Sequence, residues 1–252
     1  MRRARGAVLL AVVAALLMAC TGGGGSGISG ALTIFASPSL TDAFNAMIRA
    51  FTSSYPGVTF QTVFEPDSVL ASRAAAGPAP DLIAAEDPAT LVAAGATSTP
   101  VHFAQGQIVL AVRTGNPAHV SSLADLTRAG VRVALCQAAQ PCGRVTEAVL
   151  AAAQVTAPET ALREPDVRSA LRHVTDGTAD AALVYRSDAY AAGSQVIVIE
   201  VPFSAAALAQ FVAVVPEGAH NPRAARTFLD YLASPAVSTA LTQNGFRPVD
   251  GS

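Results

Sequence analysis

The sequence predicts an α/β fold in which two lobes enclose a ligand cleft. Apolar runs of strand length alternate with segments whose apolar residues have helical spacing, a pattern typical of mostly parallel sheets covered by helices. Eight predicted strands and about eight predicted helices follow residue 30, which is too many for one small sheet. Four of these strands lead through short polar stretches into helices, and folds of this class bind ligands at such places.

The first thirty residues have the pattern of an exported lipoprotein. Three arginines precede an apolar run at 7–19, which is shorter than the about 20 residues of a membrane span, and Cys20 follows it. The letters LMAC resemble the cleavage box of bacterial lipoproteins, so we predict a signal peptide at 1–19 and lipidation of Cys20. An uncleaved anchor helix is the alternative. Residues 20–30 are glycine-rich and predict a flexible tether.

Charge and composition exclude several function classes. The chain has 16 basic residues, all of them arginine, against 18 acidic residues. Without lysine there is no Walker-type phosphate loop, no Schiff-base enzyme and no serine–lysine hydrolase. A slightly acidic chain without a basic cluster is not expected to bind nucleic acid. The four histidines are scattered without metal-ligand spacing, so the sequence predicts neither a metal site nor a cofactor.

The predicted elements follow one another along the chain without an internal repeat. The predicted strands are 31–36, 57–64, 81–86, 107–113, 131–136, 180–185, 195–201 and 209–216. The first predicted helix carries apolar residues at Leu40, Phe44, Met47, Ile48 and Phe51. The other predicted helices are 68–77, 88–94, 122–129, 143–154, 166–176, 221–233 and 235–244.

Two long extended stretches, FAQGQIVLAVRTGNP and EVPFSAAALAQFVAVVPEG, have the length needed to cross between two lobes. If the chain crosses at both, the last helices complete the lobe that the first strands begin. We therefore predict lobe 1 at 31–106 and 208–252, and lobe 2 at 107–207.

Two cysteines remain once Cys20 is assigned to the lipid. Cys136 and Cys142 lie six residues apart in LCQAAQPCG. Outside the cytoplasmic membrane, cysteines this close in sequence favour a disulfide. A redox-active or metal-binding pair is the alternative, although the spacing is not CxxC and no histidine is nearby in the sequence.

Four strand-to-helix junctions have similar chemistry. They contain Ser39, the pair Asp67–Ser68, the segment PCG at 141–143 and the segment PDV at 165–167. Each helix start leaves backbone N–H groups unpaired and carries a partial positive charge, so several starts around one cleft would bind an anion without a cationic side chain. Taken singly, each junction is also what an ordinary capped helix looks like.

Tyr185 adds a hydroxyl at the end of another predicted strand, in DAALVYRSDA. A tyrosine there either donates to a bound oxygen or packs in the core with its hydroxyl in water. A hydrolase that uses Ser39 or Ser68 is a further alternative, but neither junction offers the histidine or lysine base that a serine nucleophile needs.

At these positions the chain resembles a known family. The segments TIFASPSLTDAF, APDLIAAED, VRVALCQAAQPCGR, PDVRSAL and DAALVYRSDA, followed by NPRAARTFLDYLASPAV, occur in the order seen in periplasmic molybdate-binding proteins of ABC importers. The resemblance extends over residues 31–248, and the CQ..PCG form is similar to the actinobacterial branch. It implies a type II periplasmic-binding-protein fold and a binding protein that is not an enzyme.

The resemblance also implies a set of ligand-binding residues. It assigns the hydroxyl and amide of Ser39, the amides of Cys142 and Val167, and the hydroxyl of Tyr185 to a tetrahedral oxyanion. Asp67 stands where the family has a second serine, and Ser68 follows it. A carboxylate that faces a dianion would weaken binding, so either Ser68 donates while Asp67 caps its own helix, or the ligand is not a simple dianion.

The function that follows is capture of molybdate or tungstate for import. The implied partners are the oxyanion, the permease of the same ABC importer and the outer face of the cell membrane, with the protein acting as a lipid-anchored monomer. One alternative is a receptor of the same fold for a different anion or small acid, in which Asp67 alters molybdate recognition. A signalling co-receptor that reports ligand by lobe closure would use the same site.

Overall fold

A computed structural model describes residues 27–202 and 204–249. Over these ranges the chain forms ten strands and eight α-helices. The strands are β1 Gly30–Ala36, β2 Val58–Phe64, β3 Leu82–Ala85, β4 Val101–Arg113, β5 Val133–Cys136, β6 Leu162–Glu164, β7 Ala181–Tyr185, β8 Val196–Ile199, β9 Leu208–Val214 and β10 Arg247–Pro248. The α-helices are α1 Thr41–Ser54, α2 Asp67–Ala76, α3 Pro88–Ala93, α4 Pro141–Ala152, α5 Val167–Thr175, α6 Arg186–Ala192, α7 Pro222–Leu232 and α8 Ser238–Gln243.

Three kinds of element differ from the sequence prediction. The strands β6 and β10 were not predicted because they are too short to show a period, and α6 was not predicted because the residues that it buries, Ser187, Asp188 and Ala189, form no apolar stripe. The predicted helix at 122–129 is a 3₁₀ turn, Leu123–Thr127, held by a capping box between Ser122 and Asp125. Strand β4 starts six residues earlier than predicted and ends at Arg113, so the first crossing stretch is extended up to that residue and then turns.

The strands lie side by side in the order β2-β1-β3-β9-β4-β7-β5-β6, with β8 and β10 also paired to β4. β1 is parallel to β2 and β3, and β5 is parallel to β6 and β7, whereas every pair made by β4 is antiparallel. The long strand β4 pairs with β9 up to Gln107 and with β7 from Ile108 onward. This change of partner supports the predicted lobes, 31–106 with 208–252 and 107–207, whose exact bounds stay a prediction.

Helices cover the sheet through apolar faces with helical spacing. In α1, Ala43, Phe44, Met47 and Phe51 are buried and recur every three or four residues. Phe44 and Phe51 pack edge-on against Phe228 of α7, with ring centroids 6.1 and 5.0 Å apart. The helices α1 and α7 thereby cover the half of the sheet that contains β1. Among the described residues, no helix combines the length and the apolar character needed to cross a membrane.

Six strands end in a polar junction at their carboxyl ends, namely β1, β2, β3, β5, β6 and β7. In an open α/β sheet the carboxyl ends of parallel strands meet at one edge, which is where ligands bind. The hydrogen bonds described below join these junctions across the two halves of the sheet, so this edge is the candidate site.

Candidate functional site

Ser39 lies fully within the protein, directly after β1. The amide of Ser37 donates to the carbonyl of Ala84 in β3 at 3.0 Å, which holds the end of β1 against its neighbour. Residues Pro38–Leu40 form a 3₁₀ turn that leads into α1. The turn buries the side chain of Ser39, whose hydroxyl donates to Oε1 of Glu86 at 3.3 Å.

Tyr185 approaches the same carboxyl group from the other half of the sheet. It is the last residue of β7, it is fully buried, and its hydroxyl donates to Oε2 of Glu86 at 3.2 Å. Its ring packs edge-on against Phe211, with centroids 5.6 Å apart. A Cβ at Gly106 would lie 2.7 Å from the Phe211 ring and 3.2 Å from that of Tyr185, so the aromatic pair requires glycine there.

Glu86 joins the two hydroxyls, and the sequence analysis did not assign it to the site. It follows β3 directly and is almost completely buried. Burial, followed by the negative charges of Asp67 and Asp188, raises its pKa well above the ordinary value. An acidic residue at the end of a wholly apolar strand, in the letters LIAAED, was the signal that could have identified it.

Asp67 is buried, and it does not cap its own helix. Its Oδ1 accepts a hydrogen bond from the hydroxyl of Ser37. Its Oδ2 accepts from the amide of Glu86 at 3.0 Å and from the hydroxyl of Thr90 at 2.8 Å. The capping role offered for Asp67 is therefore wrong: its carboxylate ties α2 to the ends of β1 and β3, because donors from those elements lie closer to it than its own helix amides. Burial raises its pKa in spite of these bonds.

Asp188 and Arg168 form a charged pair beside this cluster. Nε of Arg168 donates to Oδ1 of Asp188 at 2.9 Å, and its Nη2 is paired with Asp42 of α1. Burial raises the pKa of Asp188 to about 6, because it outweighs the opposing effects of the Arg168 charge and of the Ser39 hydroxyl. Oδ2 of Asp188 is buried without a hydrogen-bond partner among the described residues.

The start of α4 contributes backbone amides. The first backbone bond donated from within the helix is from Arg144 to the carbonyl of Gln140, at 3.0 Å. The amides of Cys142 and Gly143 come before it and belong to the unpaired first turn. In the structure Cys136 is bonded to Cys142, with Cα atoms 5.9 Å apart. A Cβ on Gly143 would collide with the carbonyl oxygen of Gln137 and lie 2.9 Å from Cα of Ala138.

The start of α5 has the same form. Asp166 is its N-cap, and its carboxylate accepts from the amide of Ser169 at 2.9 Å and from the hydroxyl of Ser169 at 2.8 Å. Val167 is the first residue of the helix and is buried, and its amide is one of the unpaired first-turn donors. Asp166 thus fixes the geometry of the helix start but adds a negative charge close to it.

Ser68 does not join the buried cluster. Its side chain is exposed, and its hydroxyl accepts from Nε2 of Gln140 at 3.3 Å. This bond joins α2 to the residue before α4, and an ion pair joins Asp87, the N-cap of α3, to Arg144 in the first turn of α4. These two contacts and the Arg168–Asp42 pair link the two halves of the sheet. Side chains of the protein itself therefore bridge the cleft.

The predicted site residues therefore fall into three groups. Ser39 and Tyr185 meet at Glu86, and Asp67 is bonded to the backbone of the same glutamate. Cys142 and Val167 present helix-start amides, and Ser68 lies at the rim. No cluster of three or more histidine, cysteine or acidic residues within the described part of the chain has the arrangement of a metal site. A separate cavity of about 550 Å³ between β4, α7 and α8 contains none of these residues.

Comparison with known proteins agrees with the resemblance seen in the sequence. The family of bacterial extracellular solute-binding proteins matches residues 32–247. The molybdate-binding protein ModA of Mycobacterium tuberculosis is 32% identical over 219 residues, which cover 85% of this chain and 84% of the relative. The chain of the same name from Mycobacterium bovis matches equally well.

Two solved structures share the fold at lower identity. The periplasmic molybdate-binding protein of Azotobacter vinelandii has a TM-score of 0.70 at 17% identity, over 87% of this chain and all of that one. The sulfate-binding protein SubI of Mycobacterium tuberculosis has a TM-score of 0.75 at 22% identity, over 87% of both chains. The predicted α/β fold of periplasmic binding proteins is confirmed, as is the prediction that the chain is no enzyme, since the matched family binds solutes. The chain belongs to the bacterial extracellular solute-binding proteins.

Proposed function

We propose that the protein captures a tetrahedral oxyanion, molybdate or tungstate, in its cleft and delivers it to an ABC importer. The observation that carries this proposal is the convergence of the Ser39 and Tyr185 hydroxyls, from opposite halves of the sheet, on one carboxyl group. Two donors that hold a carboxyl group of the chain at 3.2–3.3 Å are oriented to hold the oxygen atoms of an anion. The 32% identity to ModA supports molybdate as that anion.

Neutral donors are sufficient for such binding. A hydrogen bond to a charged group contributes about 1.5–3 kcal/mol. Two hydroxyls together with the amides of Cys142 and Val167 would therefore support micromolar or tighter affinity after the cost of closing the cleft is subtracted. Because the donors come from both halves of the sheet, the bound anion would hold the two lobes together.

A receptor for a different anion or small acid remains the second candidate. Asp67, Glu86, Asp166 and Asp188 are all buried near the proposed ligand position, and the guanidinium of Arg168 is already paired with two carboxylates. A group with this many carboxylates would favour a ligand that carries its own proton or positive charge. The choice between the candidates therefore depends on which anions bind.

Calorimetry with the purified chain, residues 21–252, tests the proposal. Molybdate, tungstate, sulfate, phosphate and chromate are titrated separately at one pH and one ionic strength. We expect micromolar or tighter binding of molybdate and tungstate, and binding at least tenfold weaker for sulfate and phosphate. Preferred binding of phosphate or of an organic acid would support the second candidate, and binding of none of the five would overturn oxyanion capture.

Lipid anchoring and export to the outer face of the membrane are part of the same proposal. They rest on the arginine-led apolar run at 1–19 and on Cys20, both of which lie outside the described residues. Replacement Cys20→Ala should release the protein from membranes in fractionated cells, whereas Cys136→Ala should leave it bound. Unchanged membrane retention of the Cys20 variant would contradict the anchor. Light scattering should show a monomer, with and without oxyanion.

A further inference from the structure

Glu86 occupies both hydroxyls that the proposed function assigns to the ligand. Ser39 donates to its Oε1 at 3.3 Å and Tyr185 to its Oε2 at 3.2 Å. A hydroxyl has a single proton to donate, so neither residue can donate to Glu86 and to a bound anion at once. A ligand that uses these hydroxyls has to take them from the Glu86 carboxyl group.

The charges around Glu86 decide whether its carboxyl group can stay ionised once it has lost the two hydroxyl donors. Asp67 at the start of α2, Asp188 on α6 and Asp166 before α5 face it with negative charge. Tyr185 on β7 faces it with a hydroxyl, and the guanidinium of Arg168 is engaged by Asp188 and Asp42. An ionised Glu86 that has lost its two donors would remain buried, unpaired and next to a dianion, which is strongly unfavourable.

We propose that Glu86 is a specificity-determining residue, and that the cleft binds a tetrahedral dianion only together with one proton, which either the Glu86 carboxyl group or the anion carries. The inference rests on the proposed function, because it assumes that the anion meets Ser39 and Tyr185. As a neutral acid, Glu86 accepts more weakly than the carboxylate and so releases the hydroxyls more easily, and its own O–H becomes a donor. The pKa of Glu86 is raised, first by burial and then by the charges of Asp67 and Asp188, which favours the neutral acid form.

The class of ligand depends on whether Glu86 or the anion supplies the required proton. Molybdate and sulfate carry no proton at neutral pH, so they need Glu86 in its acid form. Hydrogen phosphate brings a proton and can donate it to an ionised Glu86. At a pH above the pKa of Glu86, the cleft should therefore lose affinity for molybdate faster than for hydrogen phosphate.

Proton-linked calorimetry with molybdate tests this directly. Titrations of the purified chain from pH 6.5 to 9, in two buffers of different ionisation enthalpy, give both the affinity and the number of protons taken up. Above the pKa of Glu86 in the ligand-free protein, we expect affinity to fall about tenfold per pH unit and uptake to approach one proton. Hydrogen phosphate, where it binds, should show a shallower dependence.

Two substitutions separate Glu86 from the other carboxylates. Glu86→Gln replaces the carboxyl group by an amide that is neutral and donates at every pH, so its affinity should vary less than about threefold over the range. Glu147→Gln is the matched control: it removes the same charge from an exposed residue of α4 that pairs with Arg163, and it should keep the wild-type dependence. Thermal unfolding of each variant checks folding, and Glu86→Ala should also be flat with pH.

The outcomes distinguish the inference from the function on which it rests. If the wild type and Glu86→Gln show the same pH dependence, or if the wild type binds molybdate above the pKa of Glu86 without taking up a proton, the role of Glu86 is overturned. The same conclusion follows if a folded Glu86→Gln no longer binds. If neither protein binds any tetrahedral oxyanion, the proposed function fails instead.

Discussion

The two walls of the cleft meet an anion with different chemistry. The wall formed after β1, β2 and β3 presents side chains, namely Ser37, Ser39, Asp67 and Glu86, and each of these is bonded to another member of the group or to its backbone. The opposite wall presents the first-turn amides of α4 and α5, which precede the first backbone bonds of their helices. The side chains of the first wall are satisfied by its own carboxyl groups, whereas the amides of Cys142 and Val167 in the second wall have no partner within their helices.

This difference predicts how each wall responds to change. A side-chain wall that contains buried carboxyl groups responds to pH, because the protonation of Glu86 decides whether the hydroxyls are free. An amide wall cannot titrate, and it depends on how the disulfide, Gly143 and Asp166 position the helix starts. Mutations in the amide wall should therefore change stability and affinity together, whereas mutations in the hydroxyl set should change affinity first.

Gly143→Ala should give the largest effect. The added methyl group would collide with the Gln137 carbonyl, so the loop or the helix start has to move. We expect the free energy of unfolding to fall by about 3 kcal/mol and oxyanion affinity to fall by about 100-fold, because the amide of Cys142 is displaced. Denaturant unfolding and calorimetry measure both. Gly77→Ala, where the new methyl group meets only the Arg73 carbonyl at 3.2 Å, is the control.

Tyr185→Phe should weaken oxyanion binding by about 10- to 100-fold, because it removes one charge-assisted hydrogen bond. Its ring packing on Phe211 is kept, but the buried Glu86 carboxyl group loses a hydrogen bond, so the melting temperature should also fall by a few degrees. Calorimetry of Tyr185→Phe beside Tyr190→Phe, an exposed tyrosine of α6, measures the effect of the hydroxyl alone. Equal affinity for both variants would mean that Tyr185 does not contact the ligand.

Removal of the disulfide should act on stability before affinity. For a loop as short as 136–142, cross-linking contributes about 2–2.5 kcal/mol in the chain-entropy description. The double replacement Cys136→Ser and Cys142→Ser should therefore lower the free energy of unfolding by this amount. It should reduce affinity by less than Gly143→Ala does, because serine fits without a clash. Two alkylatable thiols in the exported wild-type protein would show instead that the bond is absent in cells.

Arg144→Gln should have the smallest effect. The side chain pairs with Asp87 across the cleft but is half exposed, and exposed ion pairs contribute about 0–1 kcal/mol. We expect affinity within about threefold of the wild type, with a faster dissociation rate in stopped-flow measurements at low salt. A loss as large as that of Tyr185→Phe would mean that this pair, and not the ligand, holds the cleft closed.

The sequence predicts the fold and the starts of α4 and α5 well because these depend on local patterns. Apolar periodicity locates most strands and helices, and Pro-Cys-Gly and Pro-Asp-Val mark two helix starts by their own chemistry. The strands β6 and β10 lack the length to show a period, and α6 buries a mostly polar face that shows no apolar period. They form because neighbouring strands and helices provide partners that single-sequence patterns do not contain.

The side-chain wall was harder to predict because its contacts are distant in sequence. Glu86 is 47 residues from Ser39 and 99 from Tyr185, and no local pattern predicts that the three meet. Asp67 was recognised as unusual, but its partners Ser37 and Thr90 are also far from it along the chain. The resemblance to a family assigned ligand roles to Ser39, Tyr185 and the amides of Cys142 and Val167, yet it did not point to the carboxyl group between the two hydroxyls.

A crystal structure of the protein grown with molybdate, with anomalous scattering recorded from molybdenum, tests oxyanion capture most directly. We expect one strong anomalous peak in the cleft, with oxyanion oxygens about 2.7–3.1 Å from the Ser39 hydroxyl, the Tyr185 hydroxyl and the amides of Cys142 and Val167. The Glu86 carboxyl group should then be released from at least one of the two hydroxyls. A peak outside the cleft, or an unoccupied cleft in which Glu86 still holds both hydroxyls at saturating molybdate, would contradict this mode of binding.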